Sequence, residues 1–220
     1  GSAPCAHATM ALNAEDGGNR RFIMVQIPEP LPIDEAKAHT IADLGKSRLR
    51  KVINKTMATQ AEKAKDAAEK LPGTTDTVPT LDLGFKVFKL DASNIKPWDA
   101  DFDDLKEALL NAVENVKPDR TEADVLYELL LKYGLDLAVP IEERKIVGKT
   151  VYVIGGGALI VCLADKVSLD VIEGIAKLKG ELKPEVMRVV FKDAGFKDDV
   201  VKTNAVQILR QAGINDVKSL

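Results

Sequence analysis

The first thirty residues carry the pattern in this sequence that is best suited to chemistry. They run GSAPCAHATMALNAEDGGNRRFIMVQIPEP, which predicts a loop of small residues, a helix, a turn and an apolar strand. In doubly wound sheets this order holds nucleoside-type cofactors, because backbone amides at the loop and the helix start bind the charged end. A polar side chain at the end of the next strand then binds the ribose. We therefore expect a cofactor site in this part of the chain.

The cysteines and histidines predict no further site. Cys5 and Cys162 give no disulfide framework, and His7 and His39, the only two histidines, complete no metal-ligand spacing with them. We therefore predict no bound metal. His7 is interpreted as a solvated histidine rather than a catalytic base, since no partner for it is evident. The triple glycine Gly155–Gly157 lacks the spacing of a phosphate-binding loop and predicts a bend between two strands.

Charge is distributed unevenly along the chain. The net charge is −3 over 220 residues, so the chain as a whole is no polyanion binder. Residues 37–70 have nine Lys/Arg and four Asp/Glu, whereas residues 99–147 have thirteen acids and six bases. A basic stretch followed by an acidic one suits part of a larger assembly. The basic face over 46–55 is interpreted as a solvated helix face, with contact to DNA phosphate as the alternative.

No segment predicts membrane insertion or export. The longest apolar run, over 150–164, is too short to cross a bilayer and is interrupted by three glycines. The N-terminus lacks the basic and apolar regions of a secretory signal, so we expect a cytoplasmic location.

The elements that position the N-terminal pattern follow from hydrophobic spacing. Residues 6–15 predict a helix ended by the turn over 16–19, and the nearly continuous apolar run 22–27 predicts a strand covered on both faces. Prolines are expected to exclude regular structure over 28–32. Three further elements are predicted: a long helix over 40–70, a loop over 71–79 and a half-exposed strand over 84–90.

The second half of the chain predicts acidic-surfaced helices and then a small α/β unit. Thr121 is expected to cap the second of these helices, and Gly134 to end it. The predicted elements are helices over 101–115 and 121–133, strands over 145–147 and 151–163, a helix over 168–179, a strand over 187–191 and a helix over 197–211.

The stretch over 7–29 resembles site-specific adenine-N6 DNA methyltransferases, most closely the modification subunit of type III restriction–modification systems. In that family the pattern is approximately F-x-G-S-[GA]-T-T-A-H-A-V-M, then L-N-A-E-D-G-G-N-R-[RK]-F-I-x-V-Q-L-P-E. This chain has GSAPCAHATM and LNAEDGGNRRFIMVQIPE. The resemblance continues through 40–50 (TIADLGKSRLR) and 83–94 (LGFKVFKLDASN), and through 151–157 and 202–205. It covers nearly the whole chain.

The resemblance implies S-adenosylmethionine as cofactor and assigns six residues to it. The first three would form the turn that lets the backbone approach the methionine part of the cofactor. Gln26 stands where related enzymes carry an acidic ribose ligand, and a glutamine can still hydrogen-bond a hydroxyl group. Glu29 is the other ribose candidate, and Asp91 would bound the pocket. The six residues are Gly1, Ser2, Ala3, Gln26, Glu29 and Asp91.

Departures from the family pattern bear on activity. Pro4-Cys5 replaces the usual Thr-Thr, which removes two hydroxyl groups and one backbone donor. The strand before the loop is missing, and the resemblance begins only at Ala3 if the first two residues are a cloning remnant. The family's Asp-Pro-Pro-Tyr motif, which grips the flipped adenine, has no counterpart, since the chain has no Pro-Pro pair. We therefore expect no catalytic residue here and no activity of this chain alone.

The predicted fold class is α/β. We expect a partial Rossmann-like methyltransferase sheet over 1–94, an acidic helical connector over 95–144 and a small α/β C-terminal domain over 145–220. The resemblance implies transfer of a methyl group from S-adenosylmethionine to adenine N6, with this chain as the C-terminal part of the enzyme. The implied partners are double-stranded DNA through the intact enzyme, a second methyltransferase subunit and a restriction (helicase–nuclease) subunit.

An alternative function belongs to a different class. The chain would then be a non-catalytic assembly module that docks the methyltransferase to its twin or to the restriction subunit through residues 99–220. In either case an unpaired sheet edge in the first part of the chain predicts self-association.

Overall fold

A computed structural model describes residues 1–35, 38–70, 81–96 and 116–220 of the chain. The predicted loop over 71–79 and the predicted helix over 101–115 lie outside the described residues. The chain divides into two compact units, Gly1–Val87 and Phe88–Leu220. The three-part division expected from the sequence stays a prediction.

Two helices make up most of the first unit, and both were predicted. Helix α1 (Pro4–Asp16) ends at Gly17, whose φ of 69° is a left-handed conformation that glycine adopts without strain. Helix α2 (Ile41–Lys70) begins after Thr40, whose hydroxyl and backbone N–H both donate to the Asp43 carboxylate at 2.7 and 3.0 Å. The helices pack through an apolar cluster, called here the α1–α2 cluster, formed by Ala3, Ala6, Met10 and Leu49.

A short ribbon precedes α2 and corrects one expectation. Strand β1 (Pro30–Glu35) pairs antiparallel with strand β2 (Ala38–Thr40), so the prolines do not exclude regular structure here. In a two-stranded ribbon each strand has one unpaired side. Pro30 and Pro32 are two residues apart and lack their N–H on the same side, so both can lie in β1 without loss of a ladder bond.

The two strands predicted in the first half of the chain are not formed. Residues 22–27 and 84–90 have no regular secondary structure, and Ile23 and Val25 are 95% and 91% exposed. A buried parallel strand needs a hydrogen-bonded neighbour on each side and cover on both faces. Among the described residues no strand pairs with either segment. The apolar pattern was correctly identified, but the conclusion that these segments are strands was wrong for this chain.

The second unit is built on a five-stranded mixed sheet whose strands lie in chain order. The first three strands pair antiparallel and the last three pair parallel. The strands are β3 (Ile141–Ile146), β4 (Lys149–Ile154), β5 (Leu159–Cys162), β6 (Arg188–Phe191) and β7 (Asp216–Ser219). Among the described residues of this unit the helices are α3 (Glu122–Lys132) before the sheet, α4 (Leu169–Leu182) between β5 and β6, and α5 (Asp199–Gln211) between β6 and β7.

Both faces of this sheet are covered, because alternate residues of the central strands are apolar on each side. On one face Ile160 and Phe191 pack with buried residues of α4 and α5, such as Ile175 and Leu209. On the other face Val161 and Val190 pack with the buried residues of α3. The unit is therefore a three-layer α/β/α arrangement with its core on both sides of β5 and β6.

Local signals placed most elements of the second unit correctly. Thr121 and Asp124 form the reciprocal cap of α3, and Gly134 follows the helix with a φ of 67°. Gly155–Gly157 forms a single helical turn between β4 and β5, which confirms the predicted bend. Strand β3 begins at Ile141, earlier than expected, and β7 was not predicted. The mixed α/β class is thus confirmed.

Within the described residues, no helix has the length and apolar character needed to cross a membrane.

Candidate functional site

The expected cofactor loop lies at the start of α1. Ala3 is buried and has a φ of 63°, a left-handed conformation that costs free energy for any residue with a Cβ. No side chain caps this helix, and Pro4 at its first turn carries no N–H. The free backbone N–H groups and the helix dipole therefore make this end weakly positive and suited to an anionic group.

Gly45 of α2 explains how the loop can rest on the neighbouring helix. A Cβ built at Gly45 would lie 3.5 Å from the Ala3 Cβ and 3.7 Å from the Ser2 carbonyl carbon. These are ordinary contact distances, so a methyl group fits, but a longer side chain would displace the loop. Gly45 was not among the residues predicted from the sequence. A glycine inside a helix, where it is unfavourable, was the available signal.

Gln26 lies beside the loop. The Gly1 ammonium donates to Gln26 Oε1, and Gln26 Nε2 donates to the Ile27 carbonyl at 2.9 Å. The side-chain amide is thus oriented from both ends. The structure brings Gln26 together with the Gly1–Ala3 loop, as a shared binding site requires.

The backbone of Glu29 forms two hydrogen bonds. Its N–H donates to the Ile27 carbonyl at 2.8 Å, and its own carbonyl accepts the Ile41 N–H at 3.0 Å. These bonds join the end of the 22–27 segment to the start of α2. The Glu29 side chain is exposed, which leaves its carboxylate accessible to a ligand.

Ser2 and His7 line a groove of about 850 Å³ between α1 and α2. Ser2 is half-buried and His7 is exposed. The far wall of the groove is formed by basic and polar side chains of α2. Spacing along α2 alone favours a solvated helix face for these side chains, because it does not reveal that α1 forms a second wall.

Asp91 belongs to the second unit, where it is already paired. Arg120 Nη1 lies 2.9 Å from Asp91 Oδ2, and the Ala92 N–H donates to Asp91 Oδ1 at 2.7 Å. Hydrogen bonding to Arg120 is the main reason that the pKa of Asp91 falls below its usual value. Its carboxylate is therefore committed to an ion pair within its own unit. Within the first unit the structure brings Gly1, Ser2, Ala3 and Gln26 together at one loop.

The chemistry open to this site is binding rather than proton transfer. The site offers backbone N–H groups and the Gln26 amide, and His7 has no described acceptor or donor that would make it a base. Among the described residues no three His, Cys, Asp or Glu side chains converge in a way that could hold a metal ion.

Comparison with known proteins does not extend these observations: no protein-family model matches the chain, and no curated protein shows significant similarity to it.

Proposed function

We propose that this chain is the C-terminal part of a site-specific adenine-N6 DNA methyltransferase of the type III restriction–modification kind. Its role in that enzyme is to supply part of the S-adenosylmethionine site. The observation that carries the proposal is that the Gly1–Ala3 loop, at the uncapped start of α1, lies next to the Gln26 side chain. The proposed location of the enzyme is the cytoplasm.

The donor set at this junction fits the cofactor. The uncapped start of α1 suits the carboxylate of the methionine part, since it offers N–H groups and a favourable dipole. The Gln26 amide and the exposed Glu29 carboxylate suit the two ribose hydroxyl groups as hydrogen-bond partners. When bound, S-adenosylmethionine supplies an electrophilic methyl group on a sulfonium ion. The role of the residues named here is to hold and orient it.

The arrangement of the first unit supports a Rossmann-like placement of this half-site. Helices α1 and α2 pack side by side, as consecutive helices on one face of a doubly wound sheet do. The connection between them carries the apolar segment 22–27, which has the composition of a central parallel strand. In this proposal the segment becomes a strand when the remaining strands of the sheet are present.

Adenine binding and methyl transfer are assigned to residues outside these 220. The chain has no Pro-Pro pair and hence no Asp-Pro-Pro-Tyr motif. Double-stranded DNA, a second methyltransferase subunit and a restriction subunit are the proposed partners of the intact enzyme.

Calorimetric titration of S-adenosylmethionine into the chain tests the proposal. We expect saturable binding that is lost in the double variant Gln26→Ala/Glu29→Ala. The matched control is Gln211→Ala/Glu185→Ala, which changes the same two residue types at exposed positions of the second unit and should bind as the unchanged chain does. Equal binding by both double variants would contradict the assignment of Gln26 and Glu29.

The second unit favours a further role in assembly. It has its own core on both faces of the sheet, and its one candidate cofactor residue, Asp91, is paired with Arg120. We propose that residues 99–220 dock the methyltransferase to its twin or to the restriction subunit. Size-exclusion chromatography of the chain mixed with each partner subunit tests this role, and no change in elution with either partner would contradict it.

A further inference from the structure

The charged side chains that line the groove between α1 and α2 are all basic, and they stand among apolar residues such as Leu44 and Val52. Four basic side chains of α2 face it, together with His7 from α1, and no Asp or Glu is among its lining residues. The four are exposed along the helix. They are Arg48, Lys51, Lys55 and Lys63.

These four charges are not neutralised within the described part of the chain. Lys46 of the same helix does not line the groove, and its Nζ lies 2.6 Å from Asp43 Oδ1. Within the described residues, none of the four groove residues forms an ion pair with an Asp or Glu. Their mutual repulsion is therefore uncompensated, which favours an anionic ligand in the groove.

The charges extend too far for a single small anion. Arg48 and Lys63 are separated by fifteen residues of helix, which corresponds to roughly 22 Å at the rise of an α-helix. Over roughly that length a DNA duplex presents about six base pairs of phosphates. Hydroxyl and amide donors are interspersed with the charges, and such groups commonly bind phosphate oxygens. They are Ser47, Thr56, Thr59 and Gln60.

The lining also indicates which form of nucleic acid fits. Single-stranded nucleic acid is held largely by stacking of bases on aromatic rings. Apart from His7, the groove has no aromatic residue among its lining. Phosphate contact without stacking suits a duplex whose bases remain paired.

We propose that this groove binds the phosphate backbone of duplex DNA without reading its sequence. The preference for DNA over another polyanion rests on the proposed methyltransferase function. The charge and length of the groove stand independently of it. The groove extends from Ser2, at the proposed cofactor loop, along α2 to Lys63. Bound DNA would therefore pass close to the loop and continue away from it along the helix.

Fluorescence anisotropy with a labelled DNA duplex of arbitrary sequence, repeated over a range of salt concentrations, tests the proposal. The groove variant is Arg48→Gln/Lys55→Gln. The matched control is Arg50→Gln/Lys65→Gln, which removes one Arg and one Lys from exposed positions of α2 that do not line the groove. Circular dichroism of both variants verifies that the helices are retained.

We expect the groove variant to bind the duplex roughly ten- to a hundredfold more weakly than the control near 0.1 M salt. The slope of log K against log salt should also become less steep by about 2, because two phosphate contacts are lost. Equal affinity and equal slope in the two variants would overturn the proposal. The same titrations are made with an RNA duplex and with a polyglutamate peptide. If either binds more tightly than the DNA duplex, and the groove variant loses that binding, the assignment to DNA is overturned.

The groove proposal and the cofactor proposal can be contradicted independently of each other. Titration of S-adenosylmethionine into the groove variant should be unchanged, since Gln26 and Glu29 are retained. Loss of cofactor binding in the unchanged chain with intact duplex binding would contradict the cofactor proposal alone. The reverse result would contradict the groove proposal alone.

Discussion

Phe22 and Phe85 pack against the same α1–α2 cluster, although each belongs to a different segment whose sequence predicts a strand. Each segment thus packs against helices α1 and α2 through one aromatic ring. The residues beside those rings remain largely exposed, most of all Ile23 and Val25. The two segments therefore share one packing surface although neither of them forms a strand.

The exposed segment should associate with another copy of itself. Unpaired backbone groups next to exposed β-branched residues are a template for strand pairing between chains. We expect concentration-dependent dimers or larger species, reduced by Val25→Lys, because a lysine on the strand would oppose pairing. Size-exclusion chromatography with multi-angle light scattering measures the effect.

Val186→Lys is the control for this prediction, since it adds the same charge at an exposed valine of the second unit. It should leave the association unchanged. A monodisperse monomer at every concentration, before any substitution, would show that the segment does not pair.

Two glycines of α4 should respond in opposite directions to alanine. A Cβ at Gly174 would collide with Ile146 Cγ2 of β3, whereas a Cβ at Gly180 meets nothing within 4 Å. Gly180→Ala should raise the free energy of unfolding by about 0.5–1 kcal/mol through helix propensity. Gly174→Ala should lower it by about 1–3 kcal/mol, since a methyl group on a β-branched side chain cannot rotate far away. Urea denaturation measures both.

A double-mutant cycle separates the collision from other effects of Gly174→Ala. Ile146→Ala removes the methyl group that would be struck, so the cost of Gly174→Ala should shrink in that background. An identical cost in both backgrounds would mean that the loss of stability has another origin.

Stability should depend on pH through Glu128 of α3. Burial alone would raise its pKa, but hydrogen bonds from Lys132, Ser93 and the Asn94 N–H lower it from 4.5 to about 2. A carboxyl group with a lowered pKa in the folded state stabilises that state fully above its unfolded pKa. This contribution should therefore be complete above about pH 4.5 and disappear as the pH falls toward 2.

Glu128→Gln tests this dependence. At pH 7 it should lower the free energy of unfolding by about 1–2 kcal/mol, because the Lys132 pair and one acceptor oxygen are lost. The difference from the unchanged chain should narrow as the pH falls below 4.5. Glu173→Gln, at an exposed position of α4, should have no effect at either pH. A difference that stays constant with pH would exclude ionisation as its cause.

Helices and turns were predictable from the sequence because their signals are local. Thr121 and Asp124 are three residues apart, and Gly134 follows the helix that it ends. The segment 22–27 shows the opposite case. Its apolar pattern is typical of a buried strand, but a strand also needs a neighbour that no local signal provides. Strand β7 was missed because its sequence, DVKS, has a single apolar residue.

The candidate site was predicted only in part for the same reason. The resemblance assigned the loop and Gln26, which lie together in the structure. It did not point to Gly45, because the loop that Gly45 contacts, at Ser2 and Ala3, is distant from it in the chain. Nor could spacing along α2 show that Lys51 and Lys55 face a groove, since α1 forms its other wall.

The strands of the second unit lie in the sheet in the order in which they occur in the chain. Each strand after β3 therefore finds its partner already made, separated from it by one turn or one helix. The antiparallel pairs close through short turns, whereas the parallel pairs β5–β6 and β6–β7 each close over a helix and should form later. Since a domain folds as a unit during synthesis, and Leu209 and Ile214 belong to the core, the sheet should become stable only after α5 and β7 have left the ribosome.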